Sequence, residues 1–121
     1  EGARTFALVP AGREGLFWMQ STEDRGLVFL LADPFHWFPR YEVDVPDHEL
    51  AVLGRGPQTP GSAPLGVLTI VTLPAAGTAP GGDAATVNLR APVLLEPETR
   101  RGRQLVLRDE RWDVRERLAL D

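Results

Sequence analysis

The chain has 121 residues, with 17 acidic and 13 basic side chains giving a formal charge of −4, which is one domain's length and enough for a single core. Its 43% hydrophobic and 25% charged residues exclude a disordered, collagenous or coiled-coil chain. With no cysteine and two histidines, His36 and His48, disulfide frameworks, thiolate catalysis, Cys-based zinc sites and multi-histidine metal centres are excluded too.

In chain order, residues 5–10 (Thr-Phe-Ala-Leu-Val-Pro) predict a short strand closed by Pro10, with turn residues at 11–15. Residues 16–21 predict a second strand, 22–26 a polar turn and 27–32 a third strand, completing a meander. Because 27–32 is apolar at every position, it should be buried on both faces or lie in a barrel wall. Asp33-Pro34 breaks it. Residues 41–45 alternate with period two, predicting a half-buried strand with Tyr41, Val43 and Val45 on one face and Glu42 and Asp44 on the other. One short helix follows, with Asp44 or Asp47 as cap, Pro46 in the first turn, Leu50 and Leu53 at helical spacing and Gly54 as its stop.

Residues 55–64 and 74–83 are Gly/Pro-rich and read as exposed loops. Between them, 65–73 is the strongest strand, β-branched and apolar, and should be central. Residues 85–90 fit a strand pairing back on it, Ala91-Pro92 interrupts, 93–95 resume, 96–102 turn and 104–107 form the last clear strand. The charged segment 108–121 fits a short strand or a mobile tail. About eight short strands and one short helix imply a mostly β fold, a small antiparallel barrel-like domain spanning 1–121.

Charge is uneven. Residues 33–49 carry five acids (Asp33, Glu42, Asp44, Asp47, Glu49) against Arg40, whereas residues 100–117 carry seven arginines against four acids. This polarity suits recognition of a charged protein partner. Arg100, Arg101, Arg103 and Arg108 also leave open a small nucleic-acid-binding module, although the overall acidity argues against wholesale phosphate binding. No GxSxG, P-loop, GxGxxG or HExxH pattern occurs. A catalytic reading using His36, Asp44 or Asp47 needs those side chains to converge in a pocket.

The densest feature is residues 33–41, Asp-Pro-Phe-His-Trp-Phe-Pro-Arg-Tyr, which places Phe35, Trp37, Phe38 and Tyr41 between and just beyond two prolines. Aromatic density of this kind serves either as core plug or as exposed interface anchors. In an extended segment Phe35 and Trp37 would face one way, and His36 and Phe38 the other. Asn88 is likewise open to two roles, satisfying a buried backbone group or reaching a partner.

The pattern DPF-x-x-FP-x-Y at 33–41, followed by I-V-T at 70–72, TVNL-x-AP at 86–92 and T-R-x-GRQ at 99–104, resembles the flagellar assembly factor FliW family. The order and spacing match over roughly residues 5 to 110. The resemblance implies a cytoplasmic, barrel-like bacterial protein without enzymatic activity or cofactor. It also implies exchange between two protein partners, flagellin and the translational regulator CsrA, with release of CsrA repression of flagellin translation, and no membrane or direct nucleic-acid contact. The residues taken forward as partner contacts are Phe35, Trp37, Phe38 and Tyr41 with the acids Glu42, Asp44 and Asp47. Two departures stand out. Members usually begin with a further strand pair and an FP-x-GLPGFE segment, of which only Glu1-Gly2 matches here, and the two Gly/Pro-rich loops are richer in these residues than usual. Without the leading strands the sheet would carry an open edge.

Overall fold

The computed structural model describes residues 6–23, 26–54, 65–73, 85–98 and 101–119. Eight strands and two short helices follow in chain order: β1 (Phe6–Pro10), β2 (Leu16–Ser21), β3 (Val28–Ala32), α1 (Pro34–Trp37), α2 (Asp47–Val52), β4 (Gly66–Thr72), β5 (Thr86–Val87), β6 (Val93–Glu96), β7 (Arg101–Gln104) and β8 (Glu116–Arg117). All pairings are antiparallel, and β4 is central as its β-branched sequence predicts, flanked by β3 on one side and by β5 and β6 in succession on the other. The first three strands form the expected meander.

Alternation along the strands feeds two apolar clusters, one on each face of the sheet. Met19, Leu31, Leu68 and Val93 gather on one face, with Phe17, Phe29, Ile70 and Leu95 packed against them. Leu16, Ala32, Val71, Val87 and Leu94 point the other way and join Tyr41, Leu53, Leu89, Leu105, Leu107 and Leu118 in the larger cluster. The all-apolar third run is explained by service to both faces at its end, where Leu31 and Ala32 are each fully buried; its start is not buried, since Val28 stays exposed.

The chain opposite β4 is interrupted where Ala91-Pro92 predicts a break. Val71 faces Val87 and Leu68 faces Val93, so three steps along β4 are matched by six along its neighbour. The surplus is odd, and it changes which residues face which cluster: Val87 serves the larger cluster, Val93 the smaller, and Leu94 the larger again. The interruption also divides the sheet, because β5 continues to β8 while β6 continues to β7.

The mostly β, antiparallel part of the expectation holds, but that division leaves the sheet unclosed. The pairing path runs openly from β1 to β8 with β6 and β7 as a side branch, and among the described residues no ladder closes it. A second helix is present, because Pro34 and the Asp33 cap turn the aromatic segment into one helical turn rather than an extended strip. Residues 41–45 keep the anticipated in–out burial but form no ladder, and β8 supplies the eighth strand instead. In α2 the cap position is Pro46, with no side-chain capping bond; Asp47 and Glu49 sit in the first turn, where acids suit the helix dipole, and Gly54 follows with φ 78°. The predicted loops at 55–64 and 74–83 lie outside the described residues, as do Thr99 and Arg100.

Candidate protein-interaction site

The aromatic segment begins at Asp33, whose Oδ1 accepts from Phe35 N–H at 3.0 Å while its own N–H is donated to Gly15 O at 2.7 Å. Gly15 has φ 87°, and a Cβ there would lie 2.9 Å from the Trp37 ring, so both backbone and packing require glycine. Trp37 is half-buried, packs on the larger cluster and donates its indole Nε1–H to Ala119 O at 2.9 Å. Phe38 is half-buried against the same cluster, whereas Phe35 stays 45% exposed and His36 is exposed. The helical turn thus replaces the two-sided arrangement expected of an extended segment.

Tyr41 is 3% exposed, and its hydroxyl donates to Leu89 O at 2.6 Å. Burial pushes that hydroxyl's pKa well above its ordinary value. The Trp112 ring meets Tyr41 edge-on at 4.9 Å, and the Arg111 guanidinium lies 5.0 Å from the Trp112 centroid. Leu89 belongs to the interruption between β5 and β6, which is held by its own polar groups. Asn88 Oδ1 accepts from Arg90 N–H and Ala91 N–H, both at 3.0 Å, and Gln104 Nε2 donates to Ala91 O at 3.0 Å. Asn88 therefore takes the first of its two readings, satisfying backbone amides.

Beside this corner lies a groove of about 660 Å³. Glu42, Asp44, Pro46, His48 and Glu49 line one wall; residues 105–109 and Arg111 line the other. Glu49 is buried and ion-paired to Arg103, whose guanidinium Nε donates to it. Arg111 donates to both oxygens of Asp109, and these hydrogen bonds hold the carboxyl below its ordinary range. A second groove, about 500 Å³ and largely aliphatic, is lined by Phe35 with Leu8, Phe17, Leu68, Leu95 and Pro97 among others.

The seven residues taken forward from the sequence therefore separate. Glu42 and Asp44 share the first groove, Phe35 borders the second, Trp37, Phe38 and Tyr41 pack inward, and Asp47 is exposed in the first turn of α2. His36 and Asp47 do not line the groove that holds Asp44. Of the arginines proposed for nucleic acid, Arg103 is committed to Glu49 and Arg101 Nη1 donates to Val52 O at 3.3 Å. Val106, absent from the residues expected from the sequence, stands 72% exposed between buried Leu105 and Leu107. The signal was there: Leu-Val-Leu is apolar on both faces, yet only one face meets the core.

The family model described as FliW protein matches residues 1–118. The chain belongs to the FliW family. It is 33% identical to the flagellar assembly factor FliW of Treponema denticola over 110 residues, covering 91% of this chain and 69% of that protein. The FliW of Symbiobacterium thermophilum is 38% identical over 110 residues, covering 91% of this chain and 73% of the relative. A crystal structure of the flagellar assembly factor FliW superimposes with a TM-score of 0.76 at 27% identity, covering 96% of this chain and 75% of that one. The FliW motif blocks meet in space here: Tyr41 of the first donates to Leu89 O and Gln104 of the GRQ block donates to Ala91 O, both carbonyls belonging to the TVNL-x-AP block. Among the described residues, no helix is long and apolar enough to cross a membrane.

Proposed function

We propose that this chain is a cytoplasmic, non-catalytic flagellar assembly factor that binds flagellin, near its chain termini, and a CsrA-type regulator in exchange. When flagellin is exported, the freed protein takes up CsrA and lifts repression of flagellin translation. The reading is carried by the family match across residues 1–118. An acidic chain docked on an RNA-binding regulator would also repel RNA from the complex. The arginines that would favour a nucleic-acid module are partly spent inside the fold, Arg103 on Glu49 and Arg101 on the end of α2.

The test is a pull-down of the purified chain against flagellin and CsrA from the same organism, with an unrelated RNA as control. Binding to both proteins, mutually exclusive and without RNA binding, is the expected result. Retention of RNA with neither protein bound would overturn the proposal and turn attention to Arg108 and its neighbours.

A further inference from the structure

The edge of β7 runs further than its ladder. Val93 pairs with Gln104, and the same register continues as Leu105 N–H donates to Pro92 O at 2.9 Å and Leu107 N–H to Arg90 O at 2.7 Å. Residues 101–107 thus behave as one extended strand against 90–96. Because N–H and C=O groups of successive strand residues point to opposite edges, those of Val106 and Arg108 face away from that partner. They face the groove whose other wall is the extended segment 42–46. Among the described residues, the amides of Val106 and Arg108, and those of Val43, Asp44 and Val45 across the groove, have no hydrogen-bond partner.

Three further observations define what would fit. Val106 is 72% exposed at this edge, so an aliphatic contact is on offer. The lining acids Glu42, Asp44, Glu49 and Asp109 outnumber Arg108 and Arg111. Glu49 and Asp109 have close cationic partners in Arg103 and Arg111, and Glu42 only a distant one, Arg111 at 3.9 Å, whereas Asp44 has none among the described residues.

We propose that the free edge at residues 106–108 accepts an extended peptide segment of a protein partner as an added β-strand, with aliphatic residues against Val106 and a basic side chain facing Asp44. Main-chain bonds to an exposed edge give such a strand its affinity, and alternate side chains give it selectivity. The inference rests on the reading of this chain as a binding protein and names the surface that it would use.

The probe is the capped pentapeptide Val-Lys-Val-Lys-Val, titrated into the isotopically labelled full chain while amide signals are followed. The expected result is shifts concentrated at Val106, Arg108 and residues 42–46. Binding should weaken about tenfold, the worth of one hydrogen bond, when the peptide backbone is N-methylated or when Val106→Pro removes the outward donor. The Asp44→Asn variant, which places no demand on folding, should weaken binding to a similar degree, as should exchanging lysine for glutamate in the peptide. No shifts at millimolar peptide, shifts confined to the β1 side, or amide shifts produced by protein concentration alone, meaning that a second copy takes the edge, would each overturn the proposal. The titration uses neither flagellin nor CsrA, so its failure leaves the proposed function standing; conversely, a chain that binds the peptide but neither protein would retain the edge site and lose the partner assignment.

Discussion

The two edges of residues 105–108 carry the same backbone chemistry and put it to opposite uses. The inner edge is bonded to Pro92 and Arg90, beside a corner where Tyr41, Asn88 and Gln104 satisfy carbonyls and amides that the sheet leaves over. The outer edge faces a groove, without backbone partners among the described residues. The motif residues Tyr41, Asn88, Leu89, Ala91 and Gln104 all work at this inner corner, while Val106, Arg108, Glu42 and Asp44 stand at positions that the motif pattern leaves unspecified. A family signature can therefore mark the frame that holds a surface rather than the surface itself.

That contrast can be broken most severely at Leu89, which is 1% exposed. Leu89→Ala should cost about 2–5 kcal/mol in denaturant unfolding, the range for a large buried side chain; a loss below about 1 kcal/mol would mean that the corner is not structurally critical. Asn88→Ala strands the amides of Arg90 and Ala91 and should cost about 1–3 kcal/mol, whereas Asn88→Asp, which keeps an acceptor, should recover most of it.

Tyr41→Phe leaves Leu89 O without its donor and should cost roughly 1 to 2 kcal/mol. It also carries a pH signature. The folded-state value of Tyr41 is raised, so its contribution is fully present below the unfolded value near 10 and is lost as pH climbs above it. The chain has a single tyrosine, so phenolate absorbance reports this group alone. Wild type should lose stability from about pH 10 upward while the phenolate signal of the folded chain is held back to higher pH, and Tyr41→Phe should show a flatter alkaline limb. Smallest of all, Glu42→Lys at the outer edge should change stability by no more than about 0.5 kcal/mol while altering capture of flagellin or CsrA. Equal damage to folding from both edges would erase the distinction.

Much of the frame was legible because it follows from short-range rules. The meander, the central strand at 65–73 and the break at Ala91-Pro92 came from apolar runs and proline placement. Residues 41–45 misled because alternation reports burial, not hydrogen bonding: Val43 and Val45 pack on the larger cluster as read, but among the described residues no strand pairs with them. The run Val87, Leu89, Ala91, Val93 looks like one face of one strand, and only tertiary structure reveals that its first and last members serve different clusters. The groove was invisible for a related reason. Its walls come from segments some sixty residues apart, and nothing local to Asp44 or Val106 announces the other.

The odd surplus of residues between β5 and β6 makes chain length at this corner a matter of parity. Most surface connections can gain or lose a residue and leave the elements they join unaltered. Here a single deletion would turn β6 over, sending Val93 and Leu95 toward the space that Leu94 now fills, and β7 would follow because it is registered on β6. Only changes in steps of two would keep both apolar clusters intact, so among related chains length variation at residues 88–92 should come in pairs or not at all.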